Sequence, residues 1–144
     1  MPTAAATSAD ALVDTSIAVP LVLAKHPLHS AARAAVGARV LGLSGHAEFE
    51  TYSVITRLPA PHKRSPGTTF ALLCKAFPGT VHLGATQSAA LLELAARDGI
   101  AGGAIFDALV AAAALEAGLP LISRDRRARQ TYALLGVTVE FADA

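Results

Sequence analysis

The sequence predicts an α/β fold: a parallel sheet covered by helices, within a single domain spanning residues 1–144. Three observations predict it. Short apolar runs alternate with longer helical patterns, the arrangement that builds a parallel sheet from crossover helices. The runs are apolar throughout, as strands buried on both faces must be. The chain of 144 residues matches the size of one domain and is long enough to bury a core without disulfides or metal staples.

Each element follows from local chemistry. Ala11-Leu12-Val13 is an apolar run closed by Asp14-Thr15-Ser16, a strand running into a helix start. Residues 17–36 read as helix, broken near Pro27, and residues 39–43 as a second short strand. Ser44 is placed to cap a helix over residues 46–58, which Pro59 and Pro61 close. Residues 59–67 form the clearest loop. Residues 68–77 read as a short helix ended by Pro78-Gly79, and residues 81–83 as a strand. Thr86 is placed to cap a helix reaching Arg97, and residues 98–103 form a glycine-bearing loop. Residues 104–117 read as helix stopped by Gly118, residues 119–123 as strand, 126–135 as helix and 137–141 as the last strand. In such a sheet the ligand site lies off the carboxyl ends of the strands, where strand order switches.

Composition removes several function classes. Twelve basic and eleven acidic residues give a net charge of +1, so bulk electrostatic binding is not the design. Hydrophobic residues are 53% and charged residues 16%, which is not a disordered composition. The one cysteine, Cys74, excludes an internal disulfide framework or a cysteine-cluster zinc site and suits a reduced, cytoplasmic setting. Aromatic residues are only 5%, with no tryptophan, which disfavours base-stacking platforms. The most apolar stretch, residues 100–122, is interrupted by Asp107, Glu116 and Pro120, so a buried helix and strand are expected rather than a membrane span. The opening MPTAAATSAD has no basic start and no long apolar stretch, so no secretory signal is expected.

Four of the acids fall at one kind of place. Asp14 follows the first strand, and Asp125 follows the strand at 119–123. Glu50 lies early in the helix after the second strand. Asp107 lies in the first turns of an alanine-rich helix whose apolar stripe is Ile105, Ala108, Leu109, Ala112 and Leu115. Glu116 lies on the opposite side of that helix, and Asp107 has no basic neighbour of its own. Glu50, Ser53 and Arg57 share one helix face at i, i+3 and i+7, so Arg57 either braces Glu50 or pairs locally. Any one of these acids could be a helix cap, a dipole partner or a solvated side chain. Together they suggest a hard-cation site, because converging carboxylates repel unless a cation such as Mg²⁺ or Mn²⁺ neutralises them. One or two such ions can activate water for phosphodiester hydrolysis.

At these residues the sequence resembles the PIN-domain nucleases, most closely the VapC-type toxins of bacterial toxin–antitoxin pairs. The matching pieces are LVDTSIAV from Leu12, HAEFETYSVITRLP from His46, GGAIFDALVAAAALEAGLPLISRDRRA from Gly102 and LGVTVEF from Leu135, in the family's order and over nearly the whole chain. The resemblance implies a PIN-like three-layer sandwich with a central, mostly parallel sheet covered by helices. It implies a catalytic metal site of Asp14, Glu50, Asp107 and Asp125, the last at a position less strictly acidic in such families. It implies Ser16 and Ser123 as supporting hydroxyls; Ser123 stands where threonine is common. The implied activity is Mg²⁺-dependent endoribonuclease cleavage of selected, structured RNA, leaving a 5′-phosphate and a 3′-hydroxyl. The implied partners are a small VapB-like antitoxin, whose C-terminal segment covers the site, and a second copy of the chain.

Basic residues cluster at Lys63-Arg64, in the proline-bounded loop, and at Arg124, Arg126, Arg127 and Arg129 around Asp125. Arginines at a helix start oppose the helix dipole, so contact with RNA phosphate or with antitoxin acids is expected of them, against a plain solvated face. His26, His29, His46, His62 and His82 lack metal-ligand spacing and read as structural or surface residues. A non-catalytic PIN-like RNA- or partner-binding module is the main alternative, but it would lose acids that this chain keeps. A phosphohydrolase with Asp14 as nucleophile would want an acid where Ser16 stands. A receiver-like domain would want a lysine near a late strand end, and only Lys25, Lys63 and Lys75 are present.

Overall fold

The computed structural model describes residues 8–142, so the expectation about a secretory signal falls largely outside the described residues. The chain runs β1 (Ala11–Val13), α1 (Thr15–Val22), α2 (His29–Val36), β2 (Leu41–Leu43), α3 (Ala47–Arg57), α4 (Pro66–Ala76), α5 (Ala85–Asp98), α6 (Ala104–Ala117), β3 (Leu121–Ser123), a 3₁₀ turn (Arg126–Ala128), α7 (Arg129–Leu135) and β4 (Val139–Phe141). The sheet order is β2-β1-β3-β4 and every pairing is parallel. The residues of β1 are fully buried. That requires helices on both faces and explains why no residue of the strand is polar. Helices α1 to α4 pack on one another, as do α5 to α7, giving the sheet its two covering layers.

Strand order dictates where a site can form. From β1 the chain crosses to β2 on one side, then returns to β3 on the other. The switch therefore lies between the carboxyl ends of β1 and β3, the position that opens a crevice in parallel sheets. Asp14 directly follows the first of those ends, and Asp125 lies two residues past the second.

Several local expectations change. The strand at 81–83 shrinks to a single parallel bridge between Val81 and Ser44. Gly79 explains its position: the loop backbone presses so closely on β2 that a Cβ on Gly42 would lie 2.1 Å from the Gly79 carbonyl oxygen. The helical stretch expected at 17–36 is broken around Pro27 as expected, at residues 23–28, but its first helix begins two residues earlier, at Thr15. Ser44 does not cap α3; its buried hydroxyl donates to the Val110 carbonyl at 2.6 Å, tying α3's approach to α6. Thr86 does not cap α5, which begins one residue earlier behind Gly84. Helix α4 starts at Pro66, earlier than expected, because Ser65 accepts from the Thr68 amide at 3.2 Å and proline suits the first helical position. Strands β3 and β4 each begin two residues later than the apolar runs suggested. Among the described residues no helix is long and apolar enough to cross a membrane.

Candidate active site

Asp14 is the centre of the crevice. It is 4% exposed and caps α1 by accepting from the Ser16 amide at 3.1 Å. The Ser16 hydroxyl donates to the same carboxylate oxygen at 2.5 Å. The other oxygen accepts from Ser123 at 2.5 Å and from the Tyr132 hydroxyl at 2.8 Å. Four donors from three elements thus fix one carboxylate, and none of them is a cation. Burial pushes the Asp14 pKa up, against the Ser123, Ser16 and Tyr132 hydroxyls that favour the ionised form; the Asp125 charge adds to the rise. Burial and the adjacent Asp14 charge push the Tyr132 hydroxyl far above its ordinary range, so it stays a donor.

The other three acids line the same cleft of about 220 Å³, together with Thr15, Ser16, Val110, Arg127 and Tyr132. Glu50 reaches it from the exposed first turns of α3 and accepts from the Thr15 hydroxyl at 3.1 Å. Asp107 enters from the first turn of α6. Burial pushes its carboxyl up, the Arg127 guanidinium opposes this, and the charges of Asp125, Glu50 and Asp14 push it further up. Asp107 is therefore within electrostatic reach of the other three acids. Asp125 caps the 3₁₀ turn through the Arg127 amide at 3.1 Å and holds the Arg127 side chain at 2.9 Å. Arg127 also stands 3.8 Å from Asp107, so one exposed guanidinium bridges two of the acids. A larger cleft, of about 300 Å³, lies between α3 and α4, but Phe49, Tyr52, Phe70 and Leu73 make it apolar and it brings no group toward the acids.

The remaining residues singled out from sequence fall around this centre. The Ser123 hydroxyl also accepts from the Asp125 amide at 3.0 Å, so one serine orients two acids. Arg57 pairs locally with Ser53 at 3.5 Å rather than bracing Glu50. Arg64 turns back on its own loop, donating to the carbonyls of Pro61, His62 and Lys63. Arg126 and Arg129 lie over the Phe141 ring at 5.2 and 5.0 Å. Thr15, Val110 and Tyr132 are the three cleft residues that sequence reasoning missed. Tyr132 had one available signal: it falls on the buried side of α7, where a hydroxyl needs a partner.

The donor set suits a hard divalent cation: carboxylate and hydroxyl oxygens in a small open cleft, with excess negative charge. Among the described residues no group of three or more His, Cys, Asp or Glu side chains is arranged as a ready cage.

The comparisons show the family and the likeness of fold. A family model described as the PIN domain matches residues 11–134. Ribonuclease VapC27 of Mycobacterium tuberculosis is 42% identical over 130 residues, 90% of this chain and 95% of that protein. Ribonuclease VapC40 of the same species is 41% identical over 128 residues, 88% of this chain and 95% of that protein. The crystal structure of Mycobacterium tuberculosis VapC20, titled a sarcin–ricin loop cleaving toxin, superposes with a TM-score of 0.66 at 20% identity, over 88% of this chain and 95% of that one, and so shows likeness of fold.

Proposed function

The chain belongs to the PIN domain family, and from that premise we propose that it is a metal-dependent endoribonuclease acting as the toxin of a toxin–antitoxin pair. The observation that carries the proposal is the convergence of Asp14, Glu50, Asp107 and Asp125 on one cleft at the switch in strand order. The relatives named ribonucleases support RNA as the substrate, and the neighbour titled a sarcin–ricin loop cleaving toxin supports a structured RNA.

In this proposal Asp14, Glu50, Asp107 and Asp125 would hold Mg²⁺, or Mn²⁺ in its place. When bound, the ion supplies a water of lowered pKa and neutralises charge on the scissile phosphate. The chain's own residues prepare that site. Ser16, Ser123 and Tyr132 hold Asp14 in one orientation, so no reorganisation is needed at the moment of reaction. Thr15 positions Glu50 on the opposite wall. Arg127 sits at the mouth, with its guanidinium exposed, and can exchange its pairing with Asp107 for a phosphate oxygen. In-line attack leaves a 5′-phosphate and a 3′-hydroxyl. Lys63, Arg124, Arg126 and Arg129 extend the basic surface toward RNA or toward the acids of a small antitoxin. A homodimer and a cytoplasmic location complete the proposal.

The test is incubation of the purified, partner-free protein with total bacterial RNA in Mg²⁺, Mn²⁺ or EDTA, with Asp14→Asn as control. Discrete fragments with 5′-phosphate ends, lost in EDTA and in the variant, are the expected result. Intact RNA from a folded, partner-free protein in either metal would instead indicate a non-catalytic binding module.

A further inference from the structure

Arg127 lines the acid cleft as a cation supplied by the chain itself. Its backbone is fixed. The Arg127 amide donates to Asp125 Oδ1 at 3.1 Å, and the amide of the buried Ala128 closes the same 3₁₀ turn on the Asp125 carbonyl at 3.1 Å. Its side chain is far less confined: it is 75% exposed, whereas those of Asp107 and Asp125 are 19% and 26% exposed. From that fixed base the guanidinium reaches both acids with different nitrogens. Nη2 donates to Asp125 Oδ2 at 2.9 Å, and Nη1 lies 3.8 Å from Asp107 Oδ2.

The oxygens it faces are those a second cation would use. Asp125 Oδ1 already accepts the Arg127 amide, and Oδ2 is the oxygen the guanidinium holds. Asp14 is engaged on both oxygens by Ser16, Ser123 and Tyr132. On Asp107 the Arg127 charge acts against burial and against the charges of Asp125, Glu50 and Asp14. Converging carboxylates are unfavourable without a counter-ion, and this guanidinium supplies one positive charge between two of the four. A pair this exposed is weak and its long side chain is free to leave, so the arrangement is one that a stronger cation can displace.

We propose that Arg127 is a displaceable counter-ion of the acid cleft: it neutralises Asp107 and Asp125 in the metal-free protein and leaves them when a divalent cation is held there. Guanidinium and metal then compete for the same two carboxylates. Competition couples the metal to the substrate. A phosphate that takes the guanidinium favours metal binding, and metal binding frees the guanidinium for a phosphate; such coupling is reciprocal. This role of Arg127 rests on the proposed metal-dependent nuclease, but its test reads metal binding and not cleavage.

The experiment is calorimetric titration of Mn²⁺ into metal-free wild type, Arg127→Gln and Arg97→Gln. Arg127→Gln keeps the backbone amide that Asp125 accepts, so the turn is retained. Arg97→Gln removes the same charge from an exposed guanidinium on α5, outside the cleft. Arg127→Gln is expected to bind Mn²⁺ roughly 5-fold more tightly than wild type, the scale of one exposed ion pair no longer opposing the metal. Arg97→Gln is expected to match wild type. In parallel, Mg²⁺ is added to isotope-labelled wild type while the Arg127 Nε–H signal, assigned by its absence from Arg127→Gln, is followed by NMR. That signal is expected to move toward the position of a free arginine side chain as the site fills. Three results would overturn the proposal: equal Mn²⁺ affinity in wild type and Arg127→Gln, equal tightening by Arg127→Gln and Arg97→Gln, or an Arg127 signal that stays in place while Mg²⁺ saturates the site. Absence of a saturable site from wild type and Arg127→Gln alike would count against the metal-dependent nuclease itself, and the role of Arg127 would fall with it.

Discussion

Asp14 shows how one side chain serves both structure and chemistry. It caps α1, as a lone aspartate after a strand commonly does, and it is also the most buried of the four acids. Its folded pKa lies above the ordinary value, so the fold favours the protonated form. That contribution to stability is full below the ordinary carboxylate range and is lost as pH rises through the raised pKa. Asp14→Asn keeps the neutral form at every pH. In metal-free buffer wild type should therefore gain stability relative to the variant as pH falls from 7 toward 4, in paired thermal denaturation scans. A marked loss of stability at pH 7 would mean that the carboxylate is structural. Tyr132→Phe tests the same centre from the other side. A hydrogen bond to a charged group contributes about 1.5–3 kcal/mol, so removing this one should slow RNA cleavage about 10-fold while circular dichroism stays native. An unchanged rate would show that the tyrosine does not act through Asp14.

Elements place these residues, and their legibility in the sequence varied with the range of the interactions involved. The strand ends at Val13 and Ser123 and the acids after them were readable because a short apolar run followed by a capping residue is a local pattern. Tyr132 was not readable, because its partner Asp14 is 118 residues away. Ser44 looked like a cap by local chemistry, but the distant Val110 carbonyl claims its hydroxyl. The residues at 81–83 looked like a strand, but only Val81 reaches the sheet edge. The same edge gives a sharp prediction about packing. Gly42→Ala must displace the Gly79 backbone and should cost about 3 kcal/mol in urea unfolding. Gly67→Ala, in the first turn of α4 with open space around it, should be neutral or stabilising by about 0.5 kcal/mol. Equal effects at both sites would contradict the close approach of β2 and the loop.

For the whole molecule, a near-neutral chain with a net charge of +1 concentrates opposite charges within a small area. Four acids occupy the cleft and Arg127 bridges two of them. A parallel sheet makes this possible, because its switch in strand order brings residues 14, 50, 107 and 125 to one edge despite their spacing in sequence. The central claim is that these acids act as one divalent-cation site. The most direct measurement is calorimetric titration of Mn²⁺ into the metal-free protein, compared with Asp14→Asn, Asp107→Asn and Glu93→Gln, the last an exposed acid on α5 outside the cleft. The account predicts one saturable site, weakened at least 10-fold by either cleft substitution and unchanged by Glu93→Gln. Equal Mn²⁺ affinity in all four proteins would contradict it.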